Sequence, residues 1–250
     1  MITSFDLSFT AIDILSQGLG VNTRVFPFQI PSVGREIADR IRIAGAVRDD
    51  MTRRGLVRRG DLEPEVEHSL RLLADPEIAV AVLGTTNRGA LHARASLAGR
   101  DGVIVVRDNQ ILRFTLVRAE AVITSVVALL PAARPGPGQS VSITRPAVVP
   151  PPDSDGGFQS AVRPPRSSSD AQLRMAGDIL RRPRLGDGYF VVSKGKQRAP
   201  GLSWLDTDAG RYLGLARTDD RGDTHVTYFP GDGARIAHNL GDLVERLRRG

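Results

Sequence analysis

"GLSWLDTDAGRY", residues 201–212, is the stretch on which the fold turns. Two runs with strand character, GLSWL and RYLGL, flank the five residues DTDAG. Aspartate side chains bond nearby backbone amides and Gly210 tolerates positive φ, which is what a hairpin turn requires. The same residues put Asp206 and Asp208 two apart, a pattern that can also hold magnesium. A magnesium site needs further carboxylates or a phosphate cradle close by. The next acidic turn, with Asp219, Asp220 and Asp223, comes one strand later and so belongs at the opposite end of a sheet. At about 3.4 Å per strand residue the two clusters lie roughly 20 Å apart. The residues point to a structural hairpin. A metal-dependent hydrolase or phosphotransferase using Asp206 and Asp208 is the competing reading.

The pattern around this hairpin extends in both directions. Strands are expected at 188–194, 201–207, 211–217 and 224–229. A helix at 233–249 follows, with Ile236, Leu240, Leu243, Val244 and Leu247 on one face. The first half has the same outline. Strands are expected at 3–9, 78–86, 91–99, 103–108 and 111–117, with RDG and NQ turning between the last three, as in an antiparallel meander. RAEAVITSVVALLP (118–131) then reads as a helix stopped at Pro131. Four strands leading into a helix, twice, predict two related modules sharing one sheet.

Ahead of the first meander, AIDILSQGLG (11–20) is a short helix closed by glycine, and Pro27 and Pro31 keep 26–34 extended. Residues 35–55 form a helix with Ile37, Ile41, Ala44, Val47 and Met51 in one apolar stripe. A helix at 63–74 starts with Pro64 in its first turn. Between the halves, Pro135-Gly136-Pro137-Gly138 makes a rigid corner before the strand SVSIT (140–144). Residues 146–170 are rich in Pro, Ser and Gly and read as a mobile linker, and 171–184 as a short helix. The expected organisation is a first half at 1–145, the linker at 146–170 and a second half at 171–250 within one domain.

Composition narrows the function. The 250 residues are 41% hydrophobic, which suffices for a sizeable core. The absence of cysteine removes disulfides and thiolate metal sites. The first residues lack the basic and apolar regions of a signal peptide, and no apolar run reaches ~18 residues, so neither export nor membrane insertion is expected. Net charge is +6, nearly all of it from arginine, since Lys194 and Lys196 are the only lysines. Basic clusters at 53–59, 181–184 and 194–198 have no aromatic residues interleaved with them, which favours solvated faces over a nucleic-acid-binding module. His68, His92, His225 and His238 have no zinc-ligand spacing, and neither a nucleophile elbow nor a phosphate loop occurs. No cofactor is expected.

With enzymes disfavoured, longer stretches carry more weight. LSQGLG, the prolines of FPFQIPSVG, RRGL after a long helix, and LEPEVEHSLRLLADPEIAV appear in order. LLPAARPGPGQSVSI and GDGYFVVSKGKQRAPGLSWLDTDAGRYL follow, the latter similar to a hairpin reading Gly-x-Phe-x-Val, a basic turn, then Asp-Thr-x-x-Gly-Arg-Tyr. In order and spacing the chain resembles the EspG family, the cytosolic chaperones of type VII (ESX) secretion in actinobacteria. That resemblance implies an α+β fold of two quasi-symmetric subdomains around a central, largely antiparallel β-sheet with flanking helices. It implies a cytoplasmic, non-enzymatic chaperone that binds a PE–PPE-like or ESX-type helical heterodimer, keeps it soluble and directs it to its secretion system. Self-association is left open, and no catalytic residues transfer. The residues themselves suggest a partner groove on the second half. Strand 201–207 and helix 233–249 would wall it, with Trp204 and Tyr212 as anchors and Ile236, Leu240 and Leu243 as the apolar stripe. The competing reading places Trp204 in the core.

Overall fold

The computed structural model describes residues 2–145, 177–179, 181–218 and 223–250. The expected linker at 146–170 lies outside the described residues, as do 171–176 of the expected helix at 171–184 and Asp219 and Asp220 of the second acidic turn.

Strand β1 (Ser4–Ser8) leads into α1 (Phe9–Leu19). Ser8 caps α1 by accepting a hydrogen bond from the Ala11 amide, and Gly20 closes it at φ 65°. Helix α2 (Ile37–Arg53) is followed by a small hairpin, β2 (Val57–Arg58) and β3 (Asp61–Leu62), and by α3 (Pro64–Ala74). The meander consists of β4 (Ile78–Thr86), β5 (Gly89–Ala98), β6 (Asp101–Asp108) and β7 (Ile111–Arg118). Only a 3-10 turn at Ala119–Ala121 and a short α4 (Val122–Val127) follow it, where one helix over 118–131 was expected. The β-rich ILRFTLVR continues β7 through Arg118 and leaves less chain for helix. Strand β8 (Val141–Arg145) ends the first half. The second half contains β9 (Arg184–Lys194), β10 (Gln197–Arg198), β11 (Leu202–Thr207), β12 (Gly210–Thr218), β13 (Thr224–Pro230) and α5 (Gly233–Arg249).

Eleven strands form one antiparallel sheet in the order β1-β7-β6-β5-β4-β9-β11-β12-β13-β8, with β10 paired to β9 off this path. The order is a palindrome about the β4–β9 pair, where Val82 faces Phe190 and Gly84 faces Gly188. Each half lays down four strands outward from that seam and ends with a helix, α4 or α5, and β1 and β8 add the two edges. The expected quasi-symmetric α+β architecture is present, and its two halves share one continuous sheet.

Strand alternation assigns side chains to two cores. On β6, Ile104 faces one side and Val103 and Val105 the other. The first core lies where α4 and α5 cover the middle of the sheet: Val80, Val82, Phe190, Trp204 and Leu213 meet Val126, Ile236, Leu240 and Leu243. The second lies on the opposite face of the first half, where Val103, Val105, Leu112 and Phe114 pack against Leu7, Ile12, Leu70 and Leu73 from β1, α1 and α3. Each fully buried aliphatic or aromatic side chain contributes about 1.5–3 kcal/mol relative to exposure.

Candidate docking groove

The five residues expected to wall a partner groove do not form one. Ile236 and Leu240 are fully buried, Leu243 nearly so, and Trp204 and Tyr212 are each only 2% exposed. Helix α5 lies flat on the sheet, and Asp232 caps it by accepting from the Arg235 amide at 2.9 Å. Its stripe is therefore spent on the chain's own strands. Trp204 lies 5.0 Å from the Phe190 ring, and its indole crosses Gly188, where a Cβ would come within 2.3 Å of it. The core reading of Trp204 applies. Tyr212 faces the other side of the sheet, with Leu205 and Ile179. The structure thus brings Trp204, Ile236, Leu240 and Leu243 together, but in the core, and sets Tyr212 apart from them.

The acidic hairpin and the Pro-Gly corner turn out to be two parts of one locked joint. Asp206 takes a two-pronged ion pair from Arg211, Nε to Oδ1 at 2.6 Å and Nη2 to Oδ2 at 2.8 Å, with the guanidinium 1% exposed. Arg211 Nη2 also donates to the Pro131 carbonyl at 2.8 Å, and the Tyr212 hydroxyl donates to the Pro137 carbonyl at 2.9 Å. Gly136 rests against the Tyr212 ring so closely that a Cβ there would sit 2.3 Å from it. Thr207 Oγ1 accepts from the Ala209 amide and so closes the turn. Asp208 points away to the exposed Arg182. The two carboxylates diverge, and one is committed to a buried cation. Among the described residues no group of His, Asp or Glu is placed to hold a metal.

An open apolar surface lies on the first half. Helix α2 has one buried residue, Met51, along its 17 positions. Ile37 is 82% exposed and Ile41 68%. With Ala44 and Val47 they border a groove of about 600 Å³, whose other walls are Ile14, Leu15 and Leu19 of α1 and Val57 and Leu62 of the β2–β3 hairpin. The stripe at 37–51 is legible in the sequence; its exposure is not. The hairpin was missed. Its signal is the dipeptide Arg59-Gly60 between strand residues, both at positive φ (56° and 95°), the backbone of a tight two-residue turn.

Charged side chains hold the groove's two helices at a fixed spacing. Asp13 on α1, almost fully buried, accepts from Arg24 at 2.6 Å, from Arg40 of α2 at 2.9 Å and from the Val33 amide at 3.1 Å. Arg40 also donates to the Val33 carbonyl and to Gln17. At the other end, Met51, Leu56 and Val57 anchor α2 in the second core. Nearby, burial lowers the Arg94 guanidinium to about 10, and Arg94 donates to the Phe26 carbonyl at 2.9 Å, pinning the loop between α1 and α2 to β5. Half of the basic residues in the clusters at 53–59, 181–184 and 194–198 are paired: Arg53 and Arg54 with Asp50, Arg58 with Glu63, Arg181 with Asp178 and Arg182 with Asp208.

The molecule combines a large antiparallel sheet with helices on both faces, an open apolar groove beside a peripheral helix, and an acidic turn whose Asp206 is tied to Arg211. Together they define a mixed α+β scaffold with an apolar groove left open on one helix. A family profile, that of the EspG family, matches residues 8–242, and the chain belongs to that family. No curated protein sequence matches it. Among solved structures, the fold is similar to the Mycobacterium tuberculosis type VII secretion system chaperone EspG5, solved in complex with the PE25–PPE41 dimer. The two are 13% identical with a TM-score of 0.65, and the match covers 97% of this chain and 96% of that one. At that identity the likeness establishes a common fold. Among the described residues no helix is long and apolar enough to cross a membrane.

Proposed function

We propose that this chain is a non-enzymatic chaperone of type VII secretion, which binds a PE–PPE-like helical pair in the cytoplasm, keeps it soluble and directs it to the secretion machinery. EspG family membership over residues 8–242 is the observation that carries this reading. EspG5, whose fold it shares, was solved with such a pair. The groove between α1 and α2 supplies a physical counterpart. An apolar helical tip free in water aggregates, and a groove flanked by uncovered isoleucines can take it up. In this reading residues 1–145 and 171–250 act as halves of one unit joined through 146–170. The test is to co-express the chain with the PE–PPE-like pair encoded beside its gene and purify on a tag carried by this chain alone. Recovery of a stoichiometric complex is expected. Recovery of the chain by itself, with the pair insoluble, would refute the function.

A further inference from the structure

The groove defines what fits in it, and this step rests on the function proposed above. Two helices line it with matched stripes. Ile14 and Gly18 stand four residues apart on α1, and Ile37, Ile41, Ala44 and Arg48 follow one another along one side of α2. Two such stripes side by side leave a trough into which the ridges of a third helix interdigitate. Gly18 and Ala44 add little bulk to its lining, so an incoming backbone can approach closely. Helix α2, at 17 residues, is about 25 Å long, enough to follow several turns of a partner.

The charge that lines this trough is of one sign. Among the described residues, Arg40 and Arg48 are the only charged ones that line it. Arg40 is tied to Asp13, whereas Arg48 makes no ion pair among the described residues. The carboxylates of Asp39 and Asp50 are engaged by Arg42 and by Arg53 and Arg54, and these two, like Asp49 and Asp61, do not line the groove. We infer that the trough between α1 and α2 seats a single amphipathic helix of the partner, apolar along one side and carrying a carboxylate flank that pairs with Arg48. The apolar side supplies the affinity. The carboxylate flank sets which way the helix runs and excludes basic helices.

Two fluorescein-labelled peptides of about 18 residues test this. Both carry the same leucine face at helical spacing, one flanked by glutamates and the other by lysines. Titrated with the full chain, the glutamate peptide should bind about fivefold more tightly than the lysine peptide, and about 0.5 M salt should shrink that ratio toward one. Arg48→Glu, on an exposed position, should reverse the preference at unchanged melting temperature. Ile41→Asp should abolish binding of both peptides. Equal binding of the two, or an unchanged preference in Arg48→Glu, would overturn the inference. So would failure of both peptides to bind while the unmutated chain still captures a PE–PPE pair, an outcome that leaves the function standing. If the peptides bind as expected and no pair is captured, the function fails and the groove's specificity holds. A dimer of the chain on size exclusion that Ile41→Asp dissolves would assign the trough to a second copy and overturn the inference.

Discussion

Helices α2 and α5 are each 17 residues long, and each carries five apolar residues at helical spacing. Helix α5 buries all five, Ile236, Leu240, Leu243, Val244 and Leu247, against the centre of the sheet. Helix α2 buries Met51 alone. The difference is one of layer. Strand β13 delivers α5 directly onto the sheet face beside α4, whereas α2 packs on α1, which itself packs on the sheet. Nothing among the described residues forms a layer beyond α2. Leaving two isoleucines in water forgoes about 1.5–3 kcal/mol each. Such a cost, concentrated on one face of one helix, supports the proposed docking surface. An apolar stripe shows that a helix has a face to cover, and the position of the helix in the fold decides whether the chain itself covers it.

Substitutions that put the same charge on each stripe probe this contrast. Leu243→Asp places a carboxylate in the core of the second half, at a cost of about 4 kcal/mol or more. The expected result is little soluble protein and no cooperative melt by circular dichroism. A soluble variant melting near the parent would mean that α5 does not depend on its buried stripe. A second large effect belongs to the locked joint. Asp206→Ala strands Arg211 in the interior and should cost about 3–5 kcal/mol in urea denaturation, well beyond the roughly 1 kcal/mol of an ordinary turn hydrogen bond. The double variant Asp206→Leu with Arg211→Met should recover most of that loss. If Asp206→Ala alone costs less than about 1 kcal/mol, the pair is not what holds the Pro-Gly corner to the hairpin. The smallest effect is expected on α2, where Ile41→Asp should shift stability by no more than about 0.5 kcal/mol. A large loss there would show that the exposed stripe is structural after all, and the contrast with α5 would disappear.

Much of the scaffold was legible because its signals are local. Turn residues such as Asp-Thr-Asp-Ala-Gly at 206–210 and Asn109-Gln110 mark the hairpins, and alternation between them gives the strands. The repeat of four strands and a helix was enough to predict a shared sheet. The candidate site was less legible, for a physical reason. Trp204 and Tyr212 look like anchors by residue type, yet Trp204 fills the space above Gly188, and Tyr212 is held under Gly136 and Pro137, contacts spanning 16 and about 75 positions of sequence. Ile37 and Ile41 differ from Ile236 and Leu240 in nothing that periodicity can register. What sets them apart is a third-layer position fixed by Asp13 reaching Arg24, Arg40 and Val33 across the loop. The same limit applies to Arg211, whose buried pairing with Asp206 depends on their facing each other across β11 and β12.

The most direct test is capture of a PE–PPE-like pair by the Ile41→Asp chain, measured as the fraction of the pair co-purifying relative to the unmutated chain, with both melting temperatures recorded. A variant that melts like its parent and loses at least about nine-tenths of the captured pair is the expected result, corresponding to a loss of about 1.4 kcal/mol or more in binding. Undiminished capture by a folded Ile41→Asp chain would contradict the assignment of α2 as the docking surface.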